Sequence, residues 1–114
     1  MENKTTDREL LLAVRDYYFY LGVSHLAISV SQKNRISAHV RRTHNDVAIH
    51  YLSKADSLSN QNQFINNDRE TYYIGMALGI GGKKEKALEK LTELTTKSIF
   101  HEEANELIKK WASE

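Results

Sequence analysis

Nothing in this 114-residue chain forces a helix to stop: it contains no proline, and only five glycines. A proline would remove an intrahelical hydrogen bond and clash with the preceding turn, and an interior glycine costs a helix about 1 kcal/mol. Leu, Ala, Lys and Glu, all good helix formers, are abundant, and no window alternates apolar and polar residues long enough to compete as a strand. The expectation is an all-α protein of five or six helices. At this length it forms a single helical domain, residues 1–114, with one core.

Helix boundaries follow from caps and periodicity. Thr6 with Glu9 is a capping-box pattern, followed at once by Leu10, Leu11, Val14, Tyr17, Tyr18 and Leu21. The first helix is predicted over 7–30, with Gly22 marking either a bend or a close helix contact. Its apolar residues cover more than one face, the pattern of a helix packed between others. Residues 32–42 read as a shorter helix with Ile36 and Val40 inward. Thr43 or Asn45 caps the next, where Val47, Ala48, Tyr51, Leu52 and Ala55 form a stripe. Residues 57–67, rich in Ser, Asn and Gln, read as a loop with Phe64 tucked onto the core. Asn67 with Glu70 repeats the capping signature. Helices over 68–80 and 84–94, joined by Gly81-Gly82, form the clearest hairpin in the chain. A last helix over 99–112, capped by Ser98, turns Ala104, Leu107, Ile108 and Trp111 inward.

Charge and composition exclude several classes. Sixteen basic and fifteen acidic residues leave a net charge of +1, so no global field draws the protein to nucleic acid or membrane. The greasiest stretch, 10–30, carries Arg15, Asp16, Ser24 and His25; ionised groups there would cost roughly 2.5–3.5 kcal/mol each in a bilayer. No membrane span is expected. The absence of cysteine removes thiolate and disulfide chemistry, and with the polar, mixed-charge residues 1–7 fits a cytoplasmic protein.

Two residue triplets share one spacing. Ala48, Leu52 and Ala55 stand four and three apart, as do Ala87, Leu91 and Leu94, and upstream of the second come Ile74-Gly75, Leu78 and Gly82. This spacing resembles the tetratricopeptide repeat, a helical hairpin with a Leu-Gly pair on its first helix and small residues on its second. Leu94 departs from the family's Ala, and the closing proline is missing. The resemblance implies an antiparallel helical-hairpin array with repeat-like pairs at about 31–57 and 68–96, flanked by helices 7–30 and 99–112. In the first pair Arg35-Ile36 stands at the Leu-Gly position and Thr43 at the turn glycine. The triplets lie 39 residues apart, against a family period of about 34.

Such arrays bind proteins, and the first helix of each pair lines the concave face. The implied partner-binding residues are Arg69, Tyr72, Met76 and Ile80 in one pair, and Lys33, Ser37 and Val40 in the other. Clamping of a partner's terminal carboxylate would need Asn where Ser37 stands. A chain of this length is also similar to the small helical chaperones of type III secretion needles, which hold an aggregation-prone helix in a hydrophobic groove. The expected function is a non-enzymatic adaptor or chaperone holding a helix or peptide segment of another protein, with a second copy of itself as another partner. No cofactor is implied.

Residues 75–84 (GMALGIGGKK) lack the spacing, magnesium-binding hydroxyl and preceding strand of a phosphate loop, and read as a helix-to-helix turn. His25, His39, His44 and His50 fall within 26 residues, but only His50 has a partner at ligand spacing, Asp46, so no metal site is expected. Arg35, Arg41 and Arg42, with Lys33 close by, make a local basic patch, and nucleic-acid binding or regulation through the helix 33–44 is the alternative function. Tyr17, Tyr18, Phe19 and Tyr20 are consecutive, so at about 100° per residue at least one must face solvent or an interface. No serine sits in a nucleophile-elbow context, and no catalytic residues are assigned.

Overall fold

The computed structural model describes residues 4–31, 37–63, 68–94, 96 and 98–113, and among them the chain forms five α-helices and no strand. They are α1 (Lys4–Ser31), α2 (Ala38–Gln61), α3 (Asp68–Ile80), α4 (Lys84–Leu91) and α5 (His101–Ala112). Each packs antiparallel to the one before it across α1 to α4, and α5 lies against α4 and α3. The array measures 53 × 33 × 18 Å, so its thin dimension is under two helix diameters of roughly 10–12 Å.

α1 is continuous through Gly22, which marks a close contact rather than a bend. A Cβ on Gly22 would lie 2.6 Å from Leu52 Cγ and 3.1 Å from the Ala48 carbonyl oxygen. Gly75 repeats the device in the next hairpin, where a Cβ would lie 2.7 Å from Leu91 and 3.6 Å from the Ala87 carbonyl oxygen. In both hairpins a glycine lets the partner helix approach until a leucine seals the contact. Leu52 and Leu91 are fully buried as a result, each worth roughly 1.5–3 kcal/mol of burial.

This equivalence corrects the expected first pair at about 31–57. Residues 38–61 are one helix, because they contain neither glycine nor proline to break it. Thr43 and Asn45 start nothing: the Thr43 hydroxyl donates back to the His39 carbonyl, and Asn45 reaches across to another helix. The cap is Ser37, whose Oγ accepts from the Val40 amide at 3.2 Å. In the structure the Ala48 triplet packs against α1, where Gly22 stands opposite Leu52 and Ala48, while Arg35-Ile36 lies outside the described residues. α2 also continues through the expected loop as far as Gln61, because Ser59 is buried against Arg15, whose Nη1 donates to Ser59 Oγ at 3.3 Å. Phe64 lies outside the described residues.

The second hairpin turns at Gly81-Gly82, with Gly82 at φ +88°. α4 is shorter than expected and ends at Leu91, but Leu94 stays buried in the following turn. α5 starts after Ser98, whose Oγ accepts from the Phe100 amide. Its Ala104 and Trp111 are buried, and Trp111 lies so close to α3 that a Cβ on Gly79 would meet its ring at 2.2 Å. No described helix is long and apolar enough to cross a membrane.

Candidate functional site

The expected concave groove on α3 is occupied by the protein itself. Tyr72 is 8% exposed and stacks on Phe100, ring centroids 5.0 Å apart, beneath the start of α5. Burial first, then the neighbouring Tyr73 and the negative charge of Glu103 and Glu106, pushes its phenol above the ordinary tyrosine value. Met76 is half-buried between two core clusters, and only Ile80 stays well exposed. Arg69 is tied down by charge. Its Nη2 donates to Asp16, its Nε donates to Glu70 at 3.1 Å, and its guanidinium lies 4.1 Å from the Phe19 ring centre. Of the four expected groove side chains, Tyr72 is thus buried, Arg69 and Met76 are half-buried and Ile80 is exposed. Of the other expected groove residues, the Ser37 hydroxyl is spent as a cap, Val40 is exposed at the start of α2, and Lys33 lies outside the described residues.

The network around Arg69 joins α1, α2 and α3. Arg15 donates to Asp16 through Nε at 3.1 Å and Nη2 at 3.0 Å. Burial alone would raise Asp16, but hydrogen bonds from Arg69 and Arg15 outweigh it and hold its carboxyl below the ordinary aspartate value. Glu70 is fully buried, and burial raises it above the ordinary glutamate value despite its Arg69 partner. For Arg69 burial works towards the neutral form, yet Asp16 and Glu70 together raise its pKa and keep it charged. This is a structural clasp.

The open apolar surface is on α1. Its inner face buries Arg15, Phe19, Gly22, Leu26 and Ser29, a three-and-four spacing against α2 and α3. The opposite face carries Leu10, Val14 and Tyr17 at 61, 41 and 62% exposure, with Leu21 half-buried four residues on. Tyr20 is also exposed, so of the four consecutive aromatics Phe19 is buried in the core, Tyr18 packs half-buried against it, and two face outward. Beside this stripe, between α1 and α2, runs a cleft of about 430 Å³ lined by Val14, Tyr18, His50, Ser53, Lys54, Ser57 and Leu58. Among the described residues no carboxylate lines it, and the Lys54 ammonium sits 5.3 Å from the Tyr18 ring centre. Behind the cleft, Tyr18, Tyr51, His25 and His44 form a ladder of stacked rings. His25 Nδ1 and His44 Nδ1 are 2.9 Å apart, so one donates and the other accepts. A further cleft, of about 280 Å³, opens where α2 meets the α3–α4 turn, lined by Ser29, Ala38, Arg41, Arg42, Asn45, Ile80, Gly81 and Gly82.

Arg41 is half-buried and Arg42 exposed, both on this concave spot, while Arg35 lies outside the described residues. Among the described residues the basic patch is therefore a pocket wall, not a stripe along a helix. Among them also, no group of three or more His, Asp or Glu comes together as metal ligands would. Leu10 and Val14 escaped the sequence because α1's second apolar face reads as packing, and Leu58 because residues 57–67 read as a loop. The consecutive tyrosines were the signal that could have found them. No family model, curated protein or solved structure matches the chain.

Proposed function

We propose that the protein is a small non-enzymatic binding module that receives an amphipathic helix of another protein along the outer face of α1. The observation that carries this reading is the uncovered stripe Leu10, Val14, Tyr17 on a helix whose other side is fully packed. The four- and three-residue spacing is a helix-period ridge of the kind a second helix interdigitates with. The adjoining cleft has Lys54 and His50 on its wall and, among the described residues, no acid, so the partner helix carries carboxylates beside its apolar face. Exposed tyrosines suit such an edge, since their rings bury area at small entropic cost and keep a polar tip.

The repeated glycine-against-leucine contact supports a short tetratricopeptide-like array, with α1 as its terminal helix. The chaperone form of the reading follows if the partner's helix aggregates when released. The test compares wild-type chain with the double variant Leu10→Asp/Tyr17→Asp in affinity purification from the native cell. A protein retained by wild type and lost by the variant, at unchanged helicity, supports the assignment. Identical partners for both chains would end it. Concentration-dependent dimerisation of wild type alone would instead assign the face to a second copy.

A further inference from the structure

His25 on α1 and His44 on α2 face each other across the long hairpin, both half-buried, with their Nδ1 atoms 2.9 Å apart and their ring centres 5.2 Å apart. The difference between those distances is twice the span from the centre of an imidazole to its nitrogen. Both Nδ1 atoms therefore lie close to the line joining the ring centres, and the rings are twisted by 27° about it. A ring nitrogen carries its lone pair in the ring plane, pointing away from the centre, so the two Nδ1 lone-pair directions are opposed along one line. Nitrogens so placed are held together only by an electrophile between them. A proton there gives the hydrogen bond, with one ring as donor. The Nε2 atoms point away from this line, and among the described residues neither has a protein hydrogen-bond partner. Solvent can therefore keep the proton of each ring on Nε2, which is the form that leaves both Nδ1 lone pairs free.

We propose that His25 and His44 bind monovalent copper, Cu⁺, through their two Nδ1 atoms, with the ion on the line between them. The donor set and its direction select this ion. Opposed nitrogen donors on one line match the two-coordinate, linear preference of a closed-shell monovalent ion, and imidazole is a copper ligand. With metal–nitrogen bonds of about 2 Å, linear coordination sets the nitrogens about 4 Å apart, so the rings withdraw by about 1 Å in total. Side-chain rotation supplies that, because both rings are half-buried beside the exposed residues Ser24 and Thr43. Zinc fits less well. It takes four ligands in a tetrahedron, so the lone pairs would have to converge at an angle, and among the described residues no third His, Asp or Glu joins the pair. Magnesium and calcium take oxygen donors, which the pair lacks. The chain holds no cysteine, so no thiolate of its own competes for the ion. His25 and His44 are 19 residues apart on different helices, which is why ligand spacing along one helix does not reveal them. The site does not depend on the binding role of the outer face of α1.

The test is anaerobic titration of the full chain with acetonitrile-stabilised Cu⁺, repeated with Ag⁺ as a redox-inert ion of the same coordination preference, and followed by the imidazole nitrogen resonances. One equivalent should saturate the site, with the Nδ1 resonances of His25 and His44 moving together while their Nε2 resonances keep the N–H form. This readout is made on the wild-type chain and needs no variant to fold. His25→Phe and His44→Phe, which keep a flat ring, should each remove the site, and His39→Phe and His50→Phe should leave it intact. Movement of Nε2 in place of Nδ1, an equal response from all five histidines, or binding that persists in His25→Phe would each overturn the proposal. Tighter binding of Zn²⁺ than of Cu⁺ would overturn it as well.

Discussion

The two hairpins of this protein share one contact and differ in nearly everything around it. In each, a glycine on the first helix seats a leucine of the second, Gly22 with Leu52 and Gly75 with Leu91. Yet α1 and α2 have 28 and 24 residues, and α3 and α4 only 13 and 8. The short hairpin is enclosed: α2 covers α3 on one side, α5 on the other, and Glu70, Thr71, Tyr72, Ile74, Gly75, Ala77 and Gly79 are all buried. The long hairpin stands at the edge of the array, and among the described residues one face of α1 has no helix packed on it. One packing device thus builds both a core element and a presenting surface, and what decides between them is how many helices remain to cover it.

The comparison breaks first at its shared contact. Leu52→Ala and Leu91→Ala should each cost about 2–5 kcal/mol in denaturant unfolding, because each empties a seat that rigid backbone cannot refill. A loss below about 1 kcal/mol at either would mean that the two contacts are not equivalent. Next comes the clasp between the hairpins. Arg69→Met leaves Glu70 buried without its cation and should cost roughly 2–3 kcal/mol. That is less than a fully buried pair, because Asp16 keeps solvent contact.

The clasp also has a pH signature of known sign. Glu70 is raised in the fold, so its contribution is present at acid pH and lost as pH rises through its raised value; Asp16, depressed, contributes in the opposite sense and is lost as pH falls through its own. The stability of Glu70→Gln relative to wild type should therefore grow as pH rises from about 4 to 7. A flat difference would contradict the raised value.

A smaller effect separates the hairpins themselves. His25→Phe removes the hydrogen bond to His44 across the pair, which should cost α1–α2 about 1 kcal/mol. Amide exchange should quicken in α1 and α2 and not in α3 and α4. The smallest effect is expected at Leu10→Asp and Tyr17→Asp, within about 0.5 kcal/mol of wild type, because both side chains are exposed.

Much of this was legible in the sequence, for identifiable reasons. The all-helical class followed from the missing proline, and the 68–94 hairpin from a Gly-Gly turn between two stripes. Both are local signals. The inward placement of Ala48, Leu52 and Ala55 followed from spacing alone, and all three are fully buried. Their partner was misread because a hairpin period of about 34 directs attention to residues just upstream. The actual glycine, Gly22, lies on the far side of a much longer pair of helices. Arg69 looked like a groove residue because the ion that claims it, Asp16, is 53 residues away. Asn45 looked like a cap for the same reason, its acceptor Ala77 being on another helix. Contacts between distant residues leave no periodicity to read.

The central claim is that the protein presents the outer face of α1 and keeps α3 closed. The direct measurement is partner binding and thermal unfolding for Tyr17→Asp and Tyr72→Ala in parallel, with the partner recovered on wild-type chain. The account predicts that Tyr17→Asp unfolds like wild type and loses the partner, while Tyr72→Ala is destabilised by about 3 kcal/mol and binds normally wherever it is folded. A folded Tyr72→Ala that has lost the partner, alongside a Tyr17→Asp that still binds it, would contradict the account.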